Sequence, residues 1–210
     1  LSWINTSTGL LGDGSTGGEI GISNSLLGSS AGDLNNLYIR PLNGGAVLLS
    51  TPRWGGGLTV DLGALTWLNP ASGAYADGSS GGLISTANSL LGTHFNPSDT
   101  TDQYYAVNEF SSSPGSASLL IYSQYWNPSF TSATAADSGF GALTWMNAAN
   151  GRLVNGATGG QIGAENSLVG SGPGDLSPSR SQYYEYCSYY CYYPFSQSRI
   201  FGEFNLIKSA

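Results

Sequence analysis

Aromatic residues beside hydrogen-bonding side chains are the clearest candidates for binding chemistry in this sequence. Arg53-Trp54 and Tyr125-Trp126-Asn127 each follow an apolar run and precede a loop rich in Gly or Pro. A sugar stacks its C–H groups on an aromatic face, while a neighbouring amide or guanidinium group fixes its hydroxyls. We therefore predict carbohydrate binding by these five residues. The alternative is that Trp54 and Trp126 fill the space between structural units.

The sequence offers little for catalysis. A hydrolase needs a nucleophile, a base and an orienting group within reach of one another, and His94 is the only histidine. The acidic pair Asp99 and Asp102 has glycosidase chemistry, but nothing in the sequence places these carboxylates at a catalytic separation. The segment 12–15 lacks the alternating carboxylates and the final Glu of a calcium loop. We expect a protein that is not an enzyme and that binds no cofactor or metal.

The two cysteines, Cys187 and Cys191, lie close together in the sequence. In an extended strand they would be about 13 Å apart, which is too far for a disulfide. A tight turn at 188–190 would bring them together. The sequence leaves buried thiols and a small-loop disulfide as open alternatives.

The overall composition excludes several classes of protein. Only 9% of the 210 residues are charged, against about 25% in an average soluble domain. Six basic residues and a net charge of −7 cannot neutralise a row of phosphates, so we expect no nucleic-acid partner. No apolar run approaches the roughly 18 residues of a membrane span. The surface must be covered by Ser, Thr, Asn, Gly and Tyr, which are typical of turns and strands and predict an all-β chain.

A threefold internal repeat is the strongest pattern in the chain. Segments of 28 residues that begin at Leu1, Leu65 and Leu143 align without a gap, and 12 columns are identical in all three. The alternation of Leu and Trp at the start of each segment predicts a strand with both side chains on one face. We predict that the repeated tryptophans belong to the core. They are Trp3, Trp67 and Trp145.

Other repeated columns predict turns and close contacts. Repeated Asp-Gly or Asn-Gly pairs predict type I′ hairpins, in which both central residues have positive φ; they are Asp13-Gly14, Asp77-Gly78 and Asn155-Gly156. Repeated Gly-Gly pairs predict a bulge or a close backbone approach; they are Gly17-Gly18, Gly81-Gly82 and Gly159-Gly160. A repeated asparagine is predicted to bond backbone groups between units; it stands at Asn24, Asn88 and Asn166.

The repeat divides the chain into units of about four strands. The units span approximately residues 35–99, residues 100–176, and residues 177–210 completed by 1–34, and together they form one repeat domain, 1–210. Repeated four-stranded antiparallel units predict a β-propeller-like fold, in which the two chain ends share a blade. Three blades are fewer than the roughly four to eight of propellers, so a pseudo-threefold β-prism or a trefoil-like body is the alternative.

The repeated unit resembles the tandem repeats of large bacterial surface and secreted proteins of the filamentous-haemagglutinin type. The segments that carry the resemblance are 43–49 (NGGAVLL), 51–54 (TPRW), 63–69 (GALTWLN) and 87–92 (ANSLLG), and 141–147 and 165–171 repeat the last two. The similarity covers most of residues 1–176. It implies an exported, propeller-like repeat that serves attachment or forms part of a surface structure, and it implies no catalysis.

These patterns lead to a functional hypothesis. We expect a non-catalytic structural or adhesive module, secreted or on the cell surface, whose partners are copies of itself in an oligomer or filament. The chain begins at Leu1 without a methionine, as it would after removal of a secretion signal. The tyrosine-rich stretch 183–195 is either a strand pair buried on a partner or an exposed adhesive patch. A lectin-like carbohydrate-binding module, with surface glycans as partners, is the alternative.

Overall fold

The computed structural model describes residues 1–42, 44–58, 61–93, 109–111, 117–123, 126–128, 140–172 and 175–176. These residues form strands, turns and loops, so the all-β prediction is confirmed for this part of the chain. In the same ranges, no helix has the length and apolar character needed to cross a bilayer. The strands are β1 (Leu26–Leu27), β2 (Tyr38–Pro41), β3 (Val47–Thr51), β4 (Ala64–Asn69), β5 (Ala74–Tyr75), β6 (Gly82–Leu83), β7 (Ser89–Leu91), β8 (Glu109–Ser111), β9 (Ser118–Ser123), β10 (Ala142–Asn147), β11 (Gly160–Gln161) and β12 (Ser167–Val169).

Two antiparallel sheets share one design. The middle sheet has the strand order β2-β3-β4-β7-β11, with β5 also paired to β4, and the third sheet has the order β8-β9-β10-β12. Their second and third strands pair in the same register, with Leu48 opposite Trp67 and Leu120 opposite Trp145. Both sheets thus contain four equivalent antiparallel strands, and the middle sheet has two further short strands that the sequence did not predict. The first unit, described over residues 1–34, contributes β1, and no sheet in the described residues closes into a barrel.

The third strands of the two sheets have nearly the same sequence but different burial. In β4 (ALTWLN), residues 64–68 are all buried. In β10 (ALTWMN), buried residues alternate with residues that are partly exposed. Successive side chains of a strand point to opposite faces of the sheet, so a strand that is buried throughout is covered on both faces. The middle sheet is thus sandwiched between two layers, whereas no layer among the described residues covers the outer face of the third sheet.

Two hydrophobic cores separate the three layers. The first core lies between the first unit and the middle sheet and includes Leu26 and Leu49. The second core lies between the middle and third sheets and includes Leu48, Trp67 and Ile121. Because Leu48 and Leu49 are neighbours in β3, their side chains enter different cores. Because of this alternation, the middle sheet contributes side chains to both cores.

Short parallel strand pairs join consecutive layers at their edges. β1 pairs with β6, with Leu26 opposite Gly82, and β7 pairs with β11, with Leu90 opposite Gly160. These positions are equivalent in the 28-residue repeat, so both junctions have the same register. The layers are therefore related by one repeated interaction.

The predicted type I′ hairpins are wrong in turn type. Gly78 has a φ of +88°, but Asp77 is not among the residues with positive φ. The amide of Gly78 donates to the carbonyl of Tyr75 at 2.9 Å, and the amide of Tyr75 donates to the carbonyl of Ser79 at 2.7 Å. These bonds enclose a three-residue loop that ends in a left-handed glycine. The Asp77 carboxylate accepts the Ser79 amide at 3.0 Å, which stabilises this loop without a positive φ at the aspartate.

Candidate functional site

Trp54 and Trp126 occupy equivalent places after the second strands of their sheets. Each side chain is only 6% exposed. The carbonyl of Trp54 accepts hydrogen bonds from the amides of Leu62 and Gly63, which closes the following loop. Nε1 of Trp126 donates to the carbonyl of Ile162 at 2.9 Å. This burial favours the packing alternative for both tryptophans.

Of the five predicted carbohydrate-binding residues, the structure describes Arg53, Trp54, Trp126 and Asn127, and it does not bring these four together. Trp54 belongs to the first core and Trp126 to the second. Arg53 and Asn127 are partly buried beside them. Carbohydrate binding by this set stays a prediction. Several residues singled out in the sequence lie outside the described residues, namely Tyr125, His94, Asp99, Asp102, Cys187, Cys191 and the stretch 183–195.

The described aspartates stabilise turns. The Asp13 carboxylate accepts the amide and the hydroxyl of Ser15 at 3.0 and 2.7 Å. The Asp175 carboxylate accepts the hydroxyl of Ser171 at 2.7 Å and the amide of Gly172 at 2.9 Å. Hydrogen bonds from the serines lower the pKa of both carboxyl groups because they stabilise the charged form. In the described ranges, no group of three or more His, Cys, Asp or Glu residues could hold a metal ion.

The repeated asparagine bonds within its own unit, so the predicted bonds between units are wrong. Oδ1 of Asn88 accepts the amide of Ser85 at 3.1 Å and the hydroxyl of Ser89 at 2.8 Å. Its Nδ2 donates to the carbonyl of Leu83 at 3.0 Å. The short side chain folds back on the preceding turn, as asparagines in such turns do. Asn24 and Asn166 make the corresponding bonds in their own units.

The repeated tryptophan packs on a glycine of the following unit. Gly151 approaches Trp67 so closely that a Cβ on the glycine would lie 2.7 Å from the Cβ of the tryptophan. Nε1 of Trp67 also donates to the carbonyl of Ala148 at 2.9 Å. At the first junction, a Cβ on Gly73 would lie 2.6 Å from Cε3 of Trp3. Each junction therefore needs a tryptophan on one side and a glycine on the other.

The Gly-Gly pairs make the second contact of each junction. A Cβ on Gly81 would lie 2.5 Å from the carbonyl oxygen of Ile22, and a Cβ on Gly159 would lie 2.6 Å from that of Ser89. Such distances are impossible for a side chain, so the predicted close backbone approach is confirmed. The strands of consecutive units meet at this point because no Cβ separates them.

At the outer face of the third sheet, the junction residues are uncovered. Trp145 is 36% exposed, whereas Trp67 is 6% exposed. Leu168 is 55% exposed, whereas its equivalent Leu90 is 1% exposed. The prediction of a core tryptophan is confirmed for Trp67 and wrong for Trp145. The physical reason is that no described layer covers this face.

In the first unit, the residues equivalent to the glycine side of a junction have no described neighbours from another unit. A Cβ on Gly9 or on Gly17 would meet no atom within 4 Å. Ile20 is 74% exposed, whereas its equivalents Ile84 and Ile162 are each 3% exposed. These residues form the receiving side of a junction in the later units. In the first unit, no described residue covers the receiving side.

A small cleft lies between the first unit and the middle sheet. Its volume is about 200 Å³. Leu48 contributes to the second core and has no counterpart among the described residues of the first unit. The lining residues are Leu1, Ser2, Trp3, Ile39, Val47, Leu49, Leu68, Pro70 and Tyr75.

Two stretches of the chain match a family model described as "Repeat of unknown function (DUF5650)", at residues 41–100 and 118–178. Together they cover more than half of the chain. The chain belongs to this repeat family. Each DUF5650 repeat spans the second, third and fourth strands of one sheet and so includes both sides of a junction. The match supports a repeat protein and does not identify the filamentous-haemagglutinin type. No curated protein and no solved structure shows significant similarity to the chain.

The glycine that receives the tryptophan was given no role in the sequence analysis. The signal was present, because this glycine is among the 12 identical columns, at Gly9, Gly73 and Gly151. It closes a turn in each DUF5650 repeat; the amide of Gly73, for example, donates to the carbonyl of Asn69 at 2.8 Å. A strictly repeated glycine six residues after a strictly repeated tryptophan is consistent with contact between successive units.

Proposed function

We propose that this chain is a non-catalytic structural or adhesive module of a bacterial surface or secreted protein, and that it works by associating with copies of itself. The observation that carries the proposal is the open junction surface at each described end of the stack. Trp145 and Leu168 are exposed at one end, and Gly9 and Gly17 are uncovered at the other. Burial of such apolar surface is favourable, so these ends favour association.

The use of polar side chains supports a structural role. The carboxylate of Asp77 and the amide of Asn88 are both engaged in turns of their own units. Membership of a repeat family supports the same role, because stacked repeats build extended structures from contacts between neighbours. The proposal therefore assigns these repeated polar residues to the fold and not to a reaction.

The location outside the cell is supported by sequence features. The repeated unit resembles the repeats of filamentous-haemagglutinin-type proteins, which are exported. The low charge content, 9%, is typical of surfaces that pack against further units more than of freely soluble domains. Within this proposal, association completes a propeller-like ring or extends a filament, with a pseudo-threefold prism as the alternative form.

Labelling of intact cells tests the proposed location. An antibody against this chain should label unpermeabilised cells of the source bacterium or detect the protein in the culture medium. An antibody against a cytosolic enzyme is the control for lysis. A signal that appears only after the cells are broken would contradict the proposed location. Deletion of the repeat should reduce attachment between cells or to surfaces.

The cleft beside Trp3 is the described geometric feature that supports the lectin-like alternative. Trp3 and Tyr75 line the cleft, and an aromatic face of this kind suits a sugar ring. A glycan array would test this function, and Trp3→Ala should then abolish binding. An array without hits contradicts the alternative. Binding that survives both Trp54→Ala and Trp126→Ala would exclude these two tryptophans from the site.

A further inference from the structure

We propose that copies of this chain dock head to tail, with the tail face of one copy on the head face of the next. The tail face is the outer surface of the third sheet, formed by Leu120, Leu143, Trp145 and Leu168. The head face is the open side of the first unit, formed by Gly9, Gly17, Gly18 and Ile20. This inference rests on the proposed self-association and specifies its partner and its surface.

The tail face is chemically the same as a face that is already buried inside the chain. Its four residues are equivalent to residues of the middle sheet that are at most 6% exposed, namely Leu48, Leu65, Trp67 and Leu90. In the tail face, Leu120 and Leu143 are partly exposed and the other two are exposed. No charged residue belongs to either set. The tail face therefore matches the side of an internal junction that carries the tryptophan.

The head face is equivalent to the receiving side of the internal junctions. Gly9 corresponds to Gly73, on which Trp3 packs, and Gly17 corresponds to Gly81, which touches the backbone at Ile22. Both positions are glycine in the first unit also, although no atom lies near them there. The head face thus has the space that a tryptophan and a strand of another copy need.

The internal junctions also set the register of the proposed contact. Leu90 lies opposite Gly160 at the second junction, so Leu168 of one copy is placed opposite Gly18 of the next. The amide of Ile162 donates to the carbonyl of Leu91 at 3.0 Å. The amide of Ile20 would make the equivalent bond to Val169 of the neighbouring copy.

The proposed partner is a second copy, because the two faces do not cover each other in the described part of the chain. Trp145 is exposed, and Gly9 has no described neighbour within 4 Å. The faces differ from each other, which makes the contact heterologous. A heterologous contact leaves one free face at each end and produces either a closed ring or a filament.

Two variants test this arrangement, one with the head face blocked and one with the tail face blocked. Gly17→Val adds a side chain that the isolated chain accommodates, since the site is open, but the equivalent position at an internal junction has no room. Leu168→Asp places a charge at an exposed position of the tail face. Each variant alone should associate at least about 30-fold more weakly than the unmodified chain, the loss typical of a central interface residue.

The decisive measurement is sedimentation velocity of an equimolar mixture of the two variants. Gly17→Val retains its tail face and Leu168→Asp retains its head face, so the mixture should form dimers and nothing larger. Gly21→Ser is the matched control, because Ser85 occupies the equivalent position in the middle unit. This control should associate as strongly as the unmodified chain.

Three outcomes would overturn the head-to-tail contact. If the unmodified chain and both variants associate equally, self-association stands but the docking mode is wrong. If the mixture stays monomeric while the unmodified chain associates, the contact is not between these two faces. If the unmodified chain is monomeric and Leu168→Asp lowers its melting temperature, other residues of the same chain cover the tail face. That last result contradicts self-association as well.

Discussion

Nε1 of Trp67 donates a 2.9 Å hydrogen bond to the carbonyl oxygen of Ala148, which lies 81 residues further along the chain. The same indole ring packs on Gly151. One side chain therefore supplies both the hydrogen bond and much of the apolar contact between two consecutive repeats. A buried indole N–H that lacked an acceptor would be costly, so this bond also fixes how the two sheets are placed.

The first prediction concerns the two environments of the repeated tryptophan. Trp67→Ala should lower the free energy of unfolding by about 3–5 kcal/mol, the usual cost of removing a buried aromatic side chain. Trp145→Ala should cost less, because Trp145 is 36% exposed and Trp67 only 6%. Urea unfolding of both variants, at concentrations where the chain is monomeric, measures the difference. Equal losses would show that Trp67 does not hold a junction.

The second prediction compares the two tryptophans after the second strands. Trp126 donates a hydrogen bond to the carbonyl of Ile162, whereas Nε1 of Trp54 is buried with no acceptor in the described part of the chain. Trp126→Phe loses that bond, so it should destabilise the fold by about 1 kcal/mol more than Trp54→Phe does. Thermal unfolding of the two variants side by side checks this order. A larger loss for Trp54→Phe would contradict it.

The third prediction concerns alkaline pH. Burial, with a smaller effect of the Asp77 charge, raises the pKa of Tyr75 to about 12. An unfolded tyrosine ionises near pH 10, so between pH 10 and 12 the unfolded chain has lost a proton that folded Tyr75 keeps. The free energy of unfolding should therefore fall as pH rises through this window, and Tyr75 should contribute no dependence below it. Tyr75→Phe should fall less steeply than the unmodified chain in denaturant titrations. Tyr38→Phe, at an exposed position, is the matched control for the loss of a tyrosine hydroxyl.

The fourth prediction concerns salt. Glu19 lies next to the head face, and its equivalents at the internal junctions, Leu83 and Gln161, are uncharged. Glu165 lies near the tail face, and its equivalent in the first unit is Ser23. Docked copies would bring these like charges closer, and each copy also carries a net charge of −7. Raising the ionic strength from about 0.05 to about 0.5 M should therefore strengthen association several-fold by screening. Glu19→Gln, which introduces the residue of the third unit, should reduce this dependence in sedimentation equilibrium. Association that weakens with salt would argue against the proposed contact.

The all-β repeat could be predicted because its repeated residues have local causes. Gly78 indicates a turn and the alternation around Trp67 indicates a strand, and both are short-range patterns. The turn type was missed because the Asp77 carboxylate accepts the Ser79 amide, a choice that depends on side-chain geometry. Asn88 was placed between units because repetition alone does not say whether a polar group bonds within a unit or across a junction.

Local sequence patterns do not predict where each repeat lies in the stack. Leu65, Trp67 and Leu90 have the same types as Leu143, Trp145 and Leu168, yet the first set is buried and the second set is partly exposed. Burial here is decided by whether another layer follows the sheet, which a local pattern does not contain. The sequence also left ligand binding and packing between units as alternatives for Trp54 and Trp126, whose side chains lie in the cores.

Molar mass measured by multi-angle light scattering tests self-association most directly. The chain has a mass of 21.8 kDa. As the concentration is raised from about 1 to about 100 µM, a range that covers ordinary protein–protein affinities, the measured mass should rise to at least twice that value. A mass that stays at 21.8 kDa over the whole range would contradict the account.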